Sequence, residues 1–259
     1  MSPALPALPF GPERIAVVSI TRHGIALAGR IVAALPGATL FVPEKFAAEA
    51  EAAAPGAWQG YAGKTGEQIP ILFSRYDGIV AIISLGAMVR LVAPHLQNKE
   101  SDPGVVVLDE AGLFSIPMLS GHLGGGNALA GHVAAAIGAT QVLTTASDAR
   151  QTLAVDLLGR ELGWTFEASH DELVRTSAAV VNDDPVALVQ EAGSPDWWPR
   201  HANGRTGPLP ANLRRFARIE DLRPEDFAAV LWITHRQPEP ELAARLAGKR
   251  VIYRPPVDA

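Results

Sequence analysis

Cysteine is absent from the chain. That removes disulfides, thiolate metal sites and cysteine nucleophiles together, and it fits a reducing compartment. No run of lysine or arginine is present either, and the formal net charge is -5, so nucleic acid is not an expected partner. No apolar run reaches the roughly 18 residues needed to span a bilayer. Residues 1–12 hold four prolines and no positive charge, which reads as a loose lead-in rather than a signal peptide. The expectation is a cytoplasmic protein without membrane partners. H-x-x-x-H and H-E-x-x-H patterns are missing and His122 and His132 stand ten residues apart, so no metal site is expected. No internal repeat is evident.

What is present is apolar bulk. Hydrophobic residues make up 48% and charged residues 19% of 259 positions, enough for one large or two ordinary domains. The pattern predicts an α/β fold, a mostly parallel sheet with helices on both faces plus a second, smaller α/β domain. The expected division is 13–149 and 150–259. Strands are expected at 15–20, 39–42, 78–84, 104–108 and 141–144, written as continuous Val/Ile runs because both faces are covered. Helices are expected at 22–35, with Thr21 as N-cap, at 65–76, 87–96 and 127–137, the last stopped by Gly138. Residues 47–54 allow a short helix, but the prolines and glycines of 43–64 suggest a mobile excursion. Asp148 is expected to cap a helix over 151–162. Farther on, strands are expected at 165–167, 178–182, 230–234 and 251–253, with helices at 171–176 and 239–246. Residues 193–210 contain four prolines, three glycines and Trp197-Trp198, a long surface loop whose tryptophans either form a contact surface or pack into their own domain.

The chemistry concentrates between 99 and 148. Gly121-His122-Leu123-Gly124-Gly125-Gly126-Asn127 opens a helix, and such a turn can bring backbone amides and the positive end of the helix dipole to an anion. It matches neither G-x-G-x-x-G nor the P-loop, so a carboxylate or carbonyl suits it better than a nucleotide phosphate. The alternative is a tight turn whose glycines only let strand and helix pack. His122 can move a proton near neutral pH, orient a ligand, or satisfy a local carbonyl. Ser120 lacks the G-x-S-x-G frame of a nucleophile elbow. Asp109 and Glu110 end a buried strand, where a carboxylate can act as acid or base. Neighbours on a strand face opposite ways, and Glu110 is favoured because it lies nearer the loop. Both could instead bind turn amides. Thr144 and Thr145 close the stretch, and Arg90 and Lys99 are candidate holders of substrate carboxylates. Thr21, Arg22, His23, Ser84 and Gly86 fall at matching strand ends.

Gly78-Ile79-Val80-Ala81-Ile82, Gly86-Ala87-Met88-Val89-Arg90, Ala93-Pro94, Lys99 with Asp102-Pro103, 105–112, 119–127 and 144–148 together resemble the CbiG family of cobalamin biosynthesis. Residues 153–253 are similar, more loosely, to that family's middle domain. The resemblance implies a cobalt-precorrin-5A hydrolase, which opens a δ-lactone and releases acetaldehyde to give cobalt-precorrin-5B. It implies no cofactor of the protein's own, with cobalt carried by the substrate. Acetate and propionate arms of such a ring suit helix N-termini and scattered arginines and lysines, and a broad ring suits a crevice between two α/β domains. In this reading His122 or Glu110 is base or acid, the amides of Gly124 to Gly126 hold the oxyanion, and Gly121, Asn127, Arg90, Lys99, Asp109, Ser120, Thr144 and Thr145 contact substrate. Many relatives continue into a third domain beyond the point where this sequence stops. A separate protein is then expected to supply it, or the chain does part of the job. A non-catalytic corrinoid-binding or delivery protein is the alternative, and a generic anion or nucleotide binder of the doubly wound class is a weaker one.

Overall fold

A computed structural model describes residues 5–98, 101–198 and 207–257. The chain divides into two compact units, Leu5–Leu143 and a second that holds residues 144–257. The first unit runs β1 (Ile15–Ser19), α1 (Arg22–Ala34), β2 (Thr39–Pro43), α2 (Ala47–Ala53), β3 (Trp58–Tyr61), α3 (Ile69–Arg75), β4 (Gly78–Ile82), α4 (Leu85–Val92), β5 (Gly104–Leu108), β6 (Phe114–Leu119), α5 (Gly126–Ile137) and β7 (Thr140–Gln141). Its sheet has the order β3-β2-β1-β4-β5-β6-β7. Every neighbouring pair is parallel except β5 with β6.

Helices cover both faces because β1, β4 and β5 are buried along their whole length. On one face α1, α2 and α5 pack Ile25, Ile31, Ala50, Leu129 and Val133 against Val17, Val80 and Val106. On the other, α3 and α4 pack Leu72, Met88 and Val92 against Val18, Ile79 and Val107. Each such large side chain contributes about 1.5–3 kcal/mol on burial. Thr21 caps α1, its hydroxyl accepting from the Gly24 amide at 3.1 Å, and Gly138 ends α5 in the left-handed conformation.

Two expectations for this unit are corrected. Residues 43–64 are ordered structure, since β3 extends the sheet by pairing Leu40 with Trp58 and Val42 with Gly60; the prolines and glycines punctuate a short edge strand. The segment after β5 is a strand, not a loop. Pro117 hides it, because proline lacks a ladder donor and is tolerated in sheets at edges or bulges, and the β5–β6 register slips between Val105 and Val106, beside it.

The second unit runs α6 (Ala146–Ala149), β8 (Thr165–Glu167), α7 (His170–Val181), β9 (Val186–Gln190), β10 (Leu213–Phe216), β11 (Ala229–Ile233), α8 (Pro240–Leu246) and β12 (Arg250–Arg254). The sheet order is β10-β9-β11-β12-β8, with only β8 antiparallel to its neighbour. No α-helix forms over 151–162; Gln151 and Gly159 adopt positive φ, and two short 3-10 turns occupy the stretch. Asp148 lies inside α6 and accepts from the Thr145 hydroxyl. Residues 178–182 are not a strand but the end of α7, whose capping box joins Ser169 to Glu172 and whose buried side is Leu173, Thr176, Ala179 and Val180. Helical spacing on one face outweighs the local β-propensity of Val180-Val181. The tandem tryptophans are core: Trp197 is 1% and Trp198 7% exposed, rings perpendicular and 6.0 Å apart.

Candidate functional site

Since β1, β4 and β5 are parallel, the segments that follow them leave at one edge of the first sheet. There α1 goes to one face and α4 to the other. Such a reversal of direction opens a crevice at the carboxyl ends of the strands.

The polar and apolar groups at this edge come from the segments that follow β1, β4 and β5. Glu110 is exposed and its carboxylate accepts from the Thr21 hydroxyl. Asp109 does not share that freedom: its Oδ1 accepts from the amides of Leu113 at 2.9 Å and Phe114 at 2.7 Å, tying the turn into β6. The first turn of α4 is open, because Ser84 supplies no side-chain cap, and the amides of Leu85 and Gly86 have no intrahelical partner. Arg90 lies one turn along and donates to the Gly86 carbonyl at 2.7 Å. Leu85 and Val89, 42% and 47% exposed, add apolar surface beside these amides. Arg22 is drawn away to Glu49 at 2.9 Å.

The glycine-rich turn is not part of this crevice. β6 runs antiparallel and returns the chain to the other edge, with Leu119 opposite Val105. The whole length of β5, on the order of 15 Å at about 3.3 Å per residue, therefore separates His122 from Glu110. The two residues stand at opposite ends of β5. The turn's donors are also spent. The Gly125 amide donates to His122 O at 2.9 Å, Gly126 to Ser120 O at 3.0 Å, and Asn127 to Gly121 O at 2.8 Å. The expected oxyanion hole from Gly124 to Gly126 thus loses two of its three amides.

The glycines serve close packing instead. A Cβ on Gly104 would lie 2.5 Å from Gly124 O. Gly125 has a φ of 76° and would put a Cβ 2.5 Å from Pro9. Ser120, at a φ of 50°, is held in a left-handed conformation with its hydroxyl buried and unpartnered. Asn127 is buried, and its carbonyl accepts from the Gln141 side chain at 2.6 Å. Beside the turn, Asp102 is 7% exposed and accepts from the Gln97 amide with both oxygens, at 3.1 and 3.2 Å. It helps line a cavity of about 390 Å³ with Phe73, His95 and Ser101. Lys99 lies outside the described residues. Thr144 and Thr145 belong to the second unit, where Thr145 is the N-cap residue of α6.

Sequence reasoning missed a carboxylate in the second unit. Glu191 follows β9, its side chain 11% exposed. One oxygen accepts from the Ile219 amide at 3.0 Å and Arg236 at 3.1 Å. The other accepts from the Trp232 indole at 3.0 Å and the Thr234 hydroxyl at 2.8 Å. All its acceptor capacity is used, so it is a structural tie. The nearest sequence signal is its place one residue beyond the apolar run 186–189, close to the position Asp109 holds after 105–108.

Comparison with known proteins adds the following. Residues 67–148 match the family model "Cobalamin synthesis G N-terminal" and residues 153–255 match "Cobalamin biosynthesis central region". A "Cobalt-precorrin-5A hydrolase" of Priestia megaterium is 40% identical over 93% of this chain and 62% of its own length. One of Salmonella typhimurium is 34% identical over 93% of this chain and 65% of its own length. The chain thus spans under two thirds of the length of either relative. A crystal structure of a cobalamin biosynthesis protein G homolog from Sulfolobus solfataricus overlaps 94% of this chain and 60% of its own at 17% identity, with a TM-score of 0.48.

Proposed function

The chain belongs to the CbiG family, and we propose that it acts as a hydrolase on cobalt-precorrin-5A, with the chemistry at the carboxyl edge of β1, β4 and β5. The observation that carries this reading is the exposed Glu110 carboxylate standing at the Thr21 cap while the neighbouring first turn of α4 is left open. Lactone hydrolysis needs a base for water, donors for the carbonyl oxygen and a proton for the leaving oxygen. Glu110 takes the water proton as the C–O bond to the carbonyl forms. The amides of Leu85 and Gly86, at the positive end of α4, hold the developing oxyanion. The protonated Glu110 then gives its proton to the alkoxide as the ring C–O bond breaks. The freed alcohol then loses its proton and becomes the carbonyl of acetaldehyde as the carbon–carbon bond to the macrocycle breaks, the electron pair passing into the conjugated ring, which takes up a proton. Leu85 and Val89 suit the apolar face of a macrocycle, and Arg90 a carboxylate arm.

Anaerobic incubation of the purified chain with cobalt-precorrin-5A, with acetaldehyde read by a coupled alcohol dehydrogenase, tests the reading. Acetaldehyde equimolar with substrate is expected. Tight binding without acetaldehyde would instead make the chain a carrier of the intermediate.

A further inference from the structure

We infer that the second unit holds a separate seat for a carboxylate arm of a tetrapyrrole, built around Arg215 at the carboxyl ends of β9 and β10. The choice of ligand rests on the function proposed above; the seat itself rests on the structure. A cavity of about 460 Å³ lies there, lined by Gln190, Glu191, Gly193, Pro195, Arg215 and Phe216. It sits near a reversal in the strand connections: β9 passes to β10 on one side, and the chain then crosses back to β11 on the other. Ligands of open α/β sheets gather at such places.

Arg215 brings the cavity a positive charge that no described residue neutralises. Among the described residues that line it Glu191 is the one acid, and that carboxylate is filled by Ile219, Trp232, Thr234 and Arg236. Gln190 is occupied too, accepting from the Trp197 indole at 3.0 Å and donating to the Ser194 carbonyl at 3.0 Å. Arg215 has no carboxylate partner among the described residues. Its guanidinium lies 5.9 Å from the centre of the buried Trp197 ring. At that distance the ring face attracts the cation, while its N–H groups stay open to a ligand. A planar, permanently charged fork matches a carboxylate in two parallel hydrogen bonds.

Arg214 provides the internal comparison. It is on the same edge strand with the same charge, and neighbours on a strand face opposite ways; it lies 5.4 Å from the ring of Phe216 but does not itself line the cavity. Charge on an edge strand alone guards against edge pairing, and Arg214 fits that role fully.

The test uses the full chain and two probes, uroporphyrin III with eight carboxylates and cobinamide with amide arms, measured by titration calorimetry. Wild type is expected to bind uroporphyrin III, Arg215→Ala to bind it at least tenfold more weakly, Arg215→Lys to fall between, and Arg214→Ala to match wild type within twofold. Cobinamide affinity should not respond to Arg215→Ala. Equal losses in Arg214→Ala and Arg215→Ala would mean diffuse charge attraction and overturn the seat, as would an unchanged Arg215→Ala. Near-ultraviolet circular dichroism of the tryptophans checks that each variant folds. If wild type releases no acetaldehyde while the uroporphyrin contrast holds, the hydrolase reading fails and the seat stands.

Discussion

The two edges of the first sheet differ in what their polar groups have left to give. At the edge of Ser120 to Asn127 the chain is turned on itself: amides of Gly125, Gly126 and Asn127 meet carbonyls within the same turn, and glycines admit backbone against backbone. At the other edge, α4 begins without a side-chain cap, Glu110 is held among the described residues by one hydrogen bond, from Thr21, and apolar side chains face outward. Glycine richness next to a helix is therefore no measure of a ligand site. The measure is whether the donors remain unspent once the chain has folded.

The largest expected effect separates the two edges by activity. Glu110→Gln removes the base but keeps the shape, and acetaldehyde release should fall about 10²- to 10⁴-fold, the usual range for general acid–base catalysis. His122→Ala, at the other edge, should lower it by less than tenfold. A reversed order in single-turnover assays would break the comparison.

Next comes stability. Gly125→Ala places a Cβ 2.5 Å from Pro9 at a φ of 76°, which should cost about 3 kcal/mol or more from overpacking and left-handed strain together. Urea unfolding of the variant reads this as a lower midpoint, and an unchanged midpoint would show that the turn is looser than its contacts imply. The smallest effect has the opposite sign. Ser120→Gly relieves a φ of 50° and removes a buried, unpartnered hydroxyl, so it should stabilise by about 1 kcal/mol. A loss of stability would mean that the Ser120 hydroxyl finds a partner in solution.

Much of the first unit was legible in the sequence because its information is local. Val/Ile runs named β1, β4 and β5, Thr21 named the start of α1 and Gly138 the end of α5. The site was legible only in part. Glu110 was favoured over Asp109 by position, and the structure gives Asp109 to the β6 turn. What misled was direction: Pro117 masks β6, and without that antiparallel strand His122 and Glu110 appear to share one edge. In the second unit β9 and β10 flank a long loop, and Glu191, just after β9, takes its Trp232 and Thr234 partners from β11 and the residue that follows it. Such partners have no local signature.

Hydrogen exchange with and without saturating cobalt-precorrin-5A tests the central claim most directly, because it reports which edge the ligand covers. Protection is expected in peptides spanning 21–24, 84–90 and 109–111, with 120–127 unchanged. Protection confined to 120–127 would return the site to the glycine-rich turn and contradict the account.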